Sequence, residues 1–72
     1  MYNELTIEEK IYIINKRIEF RQNMINFAQD SINELLLNKE GFKASMIRDE
    51  IENYEAMMDF LQQVLQSLTA QQ

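Results

Sequence analysis

The sequence predicts an all-α protein, an antiparallel two-helix hairpin, on three observations. Apolar residues recur at spacings of three and four along two long segments, no proline interrupts either segment, and the only glycine, Gly41, lies between them. A spacing that averages about 3.5 residues keeps apolar side chains on one side of a helix. We therefore predict helices over residues 7–40 and 43–68, folded back on each other about Gly41.

The two apolar rows are the predicted contact between the helices, and we call them the seam. The row on the first helix is interrupted once, at Arg21, and the row on the second helix is not interrupted. An isolated hairpin buries one such stripe per helix. The predicted seam residues are Ile11, Ile14, Ile18, Ile25, Ile32, Leu35, Ile47, Ile51, Tyr54, Met58, Leu61, Leu65 and Leu68.

Signals for the helix ends lie at both ends of the first helix. Thr6 followed by Glu9 forms the Thr-x-x-Glu pattern of a capping box, which predicts the start. Gly41 predicts the stop, as the left-handed residue of a Schellman motif in which Leu37 contacts Phe42.

Chain length indicates one domain over 1–72, with 1–6 and 69–72 as frayed tails. Ser45, followed by two acidic residues, is the predicted N-cap of the second helix. A chain of 72 residues is in the range where a single core is marginal and a binding partner often completes it.

Both helices carry more apolar surface than the seam uses. Helices that are apolar on two sides usually have partners on two sides, and an exposed phenylalanine stripe favours association. We predict a homo-oligomer, with a dimer favoured, that completes a four-helix bundle or a larger helical assembly. Two alternatives stay open: permanent docking on another protein, and a bent first helix that buries its own second stripe. The predicted interface residues are Ile13, Phe20, Met24, Phe27, Met57, Phe60 and Val64.

Arg21 stands at a seam position where an apolar residue is expected, and it has two interpretations. The first is a structural arginine that extends towards water or pairs with an acid and so fixes the register of the hairpin. The second is a site for a small anionic ligand, such as a phosphate-bearing molecule, formed with Lys10 and Arg17 on the same edge of the helix.

The net charge of −5 is concentrated on the second helix, because residues 49–72 contain five acids and no base. Asp49, Glu52, Glu55 and Asp59 follow a spacing of three and four and therefore share one side of that helix. This acidic face is either a solvated surface or a mimic of a nucleic-acid backbone that blocks a basic groove on a partner. The acidity disfavours direct nucleic-acid binding.

Composition weighs against catalysis and metal binding. The chain has no histidine and no cysteine, which removes the commonest general base, the commonest transition-metal ligands and disulfide bonds. We predict no enzyme activity, no metal and no cofactor. The sequence has no apolar run long enough to span a membrane, so we predict no membrane partner and a cytoplasmic location.

The most direct functional hypothesis is a protein–protein interaction module, either an adaptor or an inhibitor-type binding protein. In size and acidity the chain resembles the small acidic helical proteins common in phage genomes. That resemblance covers no specific motif; it implies a binding role in the host cytoplasm and transfers no site residue. The runner-up hypotheses are the oligomeric anion binder and the nucleic-acid mimic.

Overall fold

The protein is two long helices packed against each other as a hairpin, in a computed structural model that describes residues 4–72. Helix α1 spans Ile7–Leu37 and helix α2 spans Gly41–Ala70. The molecule measures 51 × 18 × 16 Å, so it is as long as one helix and about two helices wide. The predicted all-α hairpin is confirmed. Residues 1–3 of the predicted tail lie outside the described residues.

Helix α1 begins at the predicted capping box. The backbone N–H of Glu9 donates to Thr6 Oγ1 at 3.1 Å, and the backbone N–H of Thr6 donates to Glu9 Oε1 at 3.0 Å. These two bonds satisfy donors that the first helical turn leaves without intrahelical partners.

The stop of α1 differs from the prediction, because Lys39 and not Gly41 takes the left-handed conformation. Lys39 has a φ of 60°. The Glu40 N–H donates to the Leu35 carbonyl at 2.8 Å, and the Lys39 N–H donates to the Leu36 carbonyl at 3.1 Å. This bond pair is a Schellman motif two residues earlier than predicted.

The earlier stop lets α2 begin at Gly41, two residues before the predicted start. Its N-cap is Glu40, which makes no side-chain capping bond, so the prediction of Ser45 as the N-cap is wrong and Ser45 lies inside the helix. The predicted contact between Leu37 and Phe42 is also wrong, since both side chains are more than four-fifths exposed. The helix that begins at Gly41 places Ala44, the most buried of the described residues, in its first turn, where it packs in the core.

The core between the helices is thin. Among the described residues, six are buried, and no large side chain is completely so. Partly buried apolar residues, including Leu35 and Tyr54, pack around this cluster. Burying one such aliphatic side chain stabilises the fold by about 1.5–3 kcal/mol, so the whole contact is small for a folded domain. The buried residues are Ile25, Ala28, Ile32, Ala44, Ile51 and Leu61.

Substitutions at Gly41 and Lys39 test the structure of the turn. Gly41→Ala should raise the free energy of unfolding by about 0.5–1 kcal/mol, because an alanine restricts the unfolded chain and favours the helix. A Cβ at Gly41 would meet no atom within 4 Å. Lys39→Gly should also stabilise, because it relieves a left-handed lysine, whereas Lys39→Ala should change little. Chemical denaturation followed by circular dichroism measures all three; a destabilised Gly41→Ala would contradict this turn.

The capping box predicts a pH dependence at the start of α1. The bond from the Thr6 backbone N–H, and then the Thr6 side chain, lower the pKa of Glu9 below its ordinary value. The folded-state pKa therefore lies below the unfolded-state pKa, so the stabilisation is present above the unfolded-state pKa and lost as pH falls through the folded-state pKa. NMR titration should show the pKa of Glu9 rising in Thr6→Ala; an unchanged value would contradict the capping contribution of the hydroxyl.

Candidate functional site

The hairpin presents two broad sides of different chemistry, and the apolar side is the candidate site. Three adjoining grooves lie along it, one in the middle between Arg21 and Met57, one nearer the turn and one nearer the open end. Residues seven positions apart lie on the same side of a helix, so the residues that line the three grooves share one side of the hairpin. We call this surface the apolar face; its groove-lining residues on α1 include Ile13, Arg17, Met24 and Phe27, and those on α2 include Glu50, Asn53, Met57 and Val64.

The opposite side carries mostly amides and acids, and we call it the polar face. A groove of about 270 Å³ runs along it, in which the half-buried Met58 is flanked by polar side chains. Gln22 Nε2 donates to Asn26 Oδ1 at 3.2 Å on this side. The polar residues lining the groove are Gln22, Gln29, Glu55, Asp59 and Gln62.

The predicted seam and interface residues occupy different environments. All the predicted seam residues are buried or half-buried. Of the predicted interface residues, Phe20 and Phe60 are each 58% exposed and Phe27 is 69% exposed. Ile13, Met24 and Val64 are half-buried. Phe20 and Phe60 stand seven residues after Ile13 and Asn53, which line the apolar face, so the second stripes of both helices belong to the same side.

Arg21 is half-buried at the wall of the middle groove, which has a volume of about 320 Å³. Its Nη1 donates to the carbonyl oxygen of Arg17 at 3.2 Å. Within residues 4–72 its guanidinium makes no salt bridge, although Glu50 lines the same groove. A carboxylate in the groove wall disfavours a bound anion, since like charges repel at short range.

The three cations of the predicted anion site line two adjoining grooves of the apolar face. Lys10 and Arg17 line the groove at the open end, together with Ile13, Val64 and other apolar side chains. Arg21 lines the next groove along the hairpin. The two cations of the open-end groove therefore border apolar surface, in the manner of basic residues at the edge of a protein interface.

The four residues of the predicted acidic face are all exposed on α2, and two of them line the polar groove. Glu55 and Asp59 line the polar groove beside glutamines, while Asp49 and Glu52 are exposed outside the lining of all four grooves. Over the part of the chain that the structure describes, no group of three acids is placed to hold a metal ion.

Two surface features escaped the sequence analysis. Glu50 and Asn53 join Arg21 in one groove. Glu50 lies four residues before Tyr54 and Asn53 four residues before Met57, so helical spacing places them beside those residues on α2, but not beside Arg21 of α1. The second feature is a set of exposed apolar residues near the turn: Leu36, Leu37, Phe42 and Met46.

Neither α1 nor α2 is long and apolar enough to cross a membrane.

The comparisons with known proteins found no match. Neither a protein-family model, nor a curated protein, nor a solved structure matches the chain. Its function therefore has to be inferred from the two faces of the hairpin themselves.

The geometry of Arg21 predicts the outcome of Arg21→Leu. The melting temperature should be unchanged or higher, because the variant loses one exposed hydrogen bond and gains an apolar residue at a half-buried seam position. Thermal unfolding with and without inorganic phosphate measures this. If phosphate raised the melting temperature of the wild type but not of Arg21→Leu, Arg21 would be part of an anion site instead.

Proposed function

We propose that the chain is a non-enzymatic protein–protein interaction module, an adaptor or an inhibitor-type binding protein, that binds through the apolar face. The observation that carries the proposal is that the exposed apolar residues of α1 and those of α2 lie on the same side of the hairpin. Phe20, Phe27 and Phe60 are more than half exposed, and large aromatic side chains are typical anchors of protein interfaces.

The arrangement of the apolar face supports a helical or flat protein partner. Its grooves follow the long axis of the hairpin in series, with ridges formed by side chains seven residues apart. Another helix can lay its side chains into such grooves. Cations at the rim, Lys10 and Arg17, add charge-based selectivity without occupying the centre.

The thin core supports the same proposal energetically. A partner that binds only the folded hairpin stabilises it by mass action, and a chain whose described part buries six residues gains much from such a partner. The proposal places this role in the cytoplasm, on the expectation drawn above from composition.

Substitution of Phe20 tests the proposal. Phe20→Glu should abolish association, whether with a second copy or with another protein, and should leave the helix content unchanged because Phe20 is exposed within the hairpin. Size-exclusion chromatography with light scattering measures association, and circular dichroism measures the helix content.

Asn33→Glu is the matched control, because it adds the same charge at an exposed position of the same helix, on the side of Gln22 and Asn26. It should associate as the wild type does. A Phe20→Glu variant that keeps the native mass and every partner of the wild type would remove the apolar face from the proposed function.

A further inference from the structure

The hairpin exposes more surface than a compact monomer of its mass. Its accessible surface is 5755 Å². The relation for folded monomers gives about 4700 Å² for a protein of 8.7 kDa. The surplus of about 1000 Å² compares with the roughly 800 Å² that each partner buries in a standard protein interface.

The apolar face has the dimensions of such an interface only when it is covered along its whole length. The 51 × 18 Å outline of the molecule gives one side an area of about 900 Å². A short peptide would cover a fraction of this area. A second copy of the chain has the same length and carries the same apolar face, so two copies can cover each other completely.

Charge distinguishes the two ways in which two such faces can meet. Residues 23–55, which form the turn half of the hairpin, carry seven acids and three bases, a net −4. Residues 4–22 and 56–72, which form the open half, carry five acids and four bases, a net −1; together these make the −5 of the chain. Placing the turns at opposite ends keeps the two −4 halves apart, whereas placing them together does not.

One pair of charged groove residues favours the same orientation, although Arg21, next to the axis, comes level with the partner's Arg21. When two hairpins overlap fully with their turns at opposite ends, the twofold axis passes near the midpoints of α1 and α2, close to Gln22 and Glu55. Arg17 lies about one and a half helical turns from that level towards the open end of the hairpin. Glu50 lies about one and a half helical turns from it in the opposite direction, towards the end where α1 connects to α2. The axis therefore brings Arg17 of each copy level with the partner's Glu50, on the diagonally opposite helix, because the same rotation sets α1 against the partner's α1.

We infer that the partner on the apolar face is a second copy of this chain, packed face to face with its turn at the opposite end, with Arg17 of each copy directed towards the partner's Glu50. This inference rests on the proposed function and names its partner. Near the axis, Met24 of each copy comes level with the partner's Phe20, so the exposed Phe20 is covered by a methionine of the partner. The polar face stays outward.

Charge reversal on the full chain tests the pairing. The wild type should have twice the mass of one chain by light scattering. Arg17→Glu and Glu50→Arg should each raise the dissociation constant of the dimer about tenfold or more, because each puts like charges level with each other. The double variant, Arg17→Glu with Glu50→Arg, should recover most of the affinity. Lys16→Glu, at an exposed position outside the grooves, is the matched control.

A distance between the two turns tests the orientation. The chain has no cysteine, so Asn38→Cys carries a single spin label at the exposed end of α1. Two labels should lie about 50 Å apart, close to the 51 Å length of the hairpin. Labels within about 25 Å of each other would place both turns at the same end and overturn the inferred packing.

The possible failures are separable. A monomeric wild type overturns the second copy as the partner, and leaves the apolar face available for another protein as proposed above. A dimer that Phe20→Glu leaves intact overturns the inference, and it overturns the proposed function as well if that variant also keeps every other partner of the wild type. A dimer that Phe20→Glu dissociates, but that the double charge reversal does not restore, overturns the Arg17–Glu50 pairing.

Discussion

The structure depends on a single contact, the packing of α1 against α2. Two helices that pack only on each other can bury one stripe each, and every further apolar residue must remain exposed or find a partner. Six residues are buried in the described chain, and they include two alanines, Ala28 and Ala44, which let the backbones approach closely but add little apolar area. The exposed apolar face follows directly from this limit. Self-association is the simplest way to cover the apolar face, because two copies of the chain can then bury the same face against each other.

How much of this the sequence could predict is clear from particular residues. The start of α1 was predictable because the bonds between Thr6 and Glu9 are local and depend on spacing alone. The stop was not predictable in the same way. Glycine is the usual left-handed residue, yet Lys39 takes that conformation, and α2 begins early enough to carry Ala44 into the core, a tertiary contact that local spacing does not reveal.

The same division applies to the candidate site. Heptad spacing alone places Phe20 and Phe27 off the seam, because it depends on one helix only. The grouping of Arg21 with Glu50 and Asn53 needed the rotation of α2 relative to α1, which spacing within one helix does not define. Lys10 and Arg21 are eleven residues apart on α1, so they line different grooves of the apolar face.

The position of the core along the hairpin has a kinetic consequence. Five of the six buried residues form one cluster, in the half of the molecule that contains the turn. Contacts there close the shortest loops, and short loops cost the least entropy to form. We therefore expect the contacts between α1 and α2 to form first beside the turn and then to extend towards the open end. Its open end, held mostly by half-buried side chains, is the part where backbone amides exchange with solvent first.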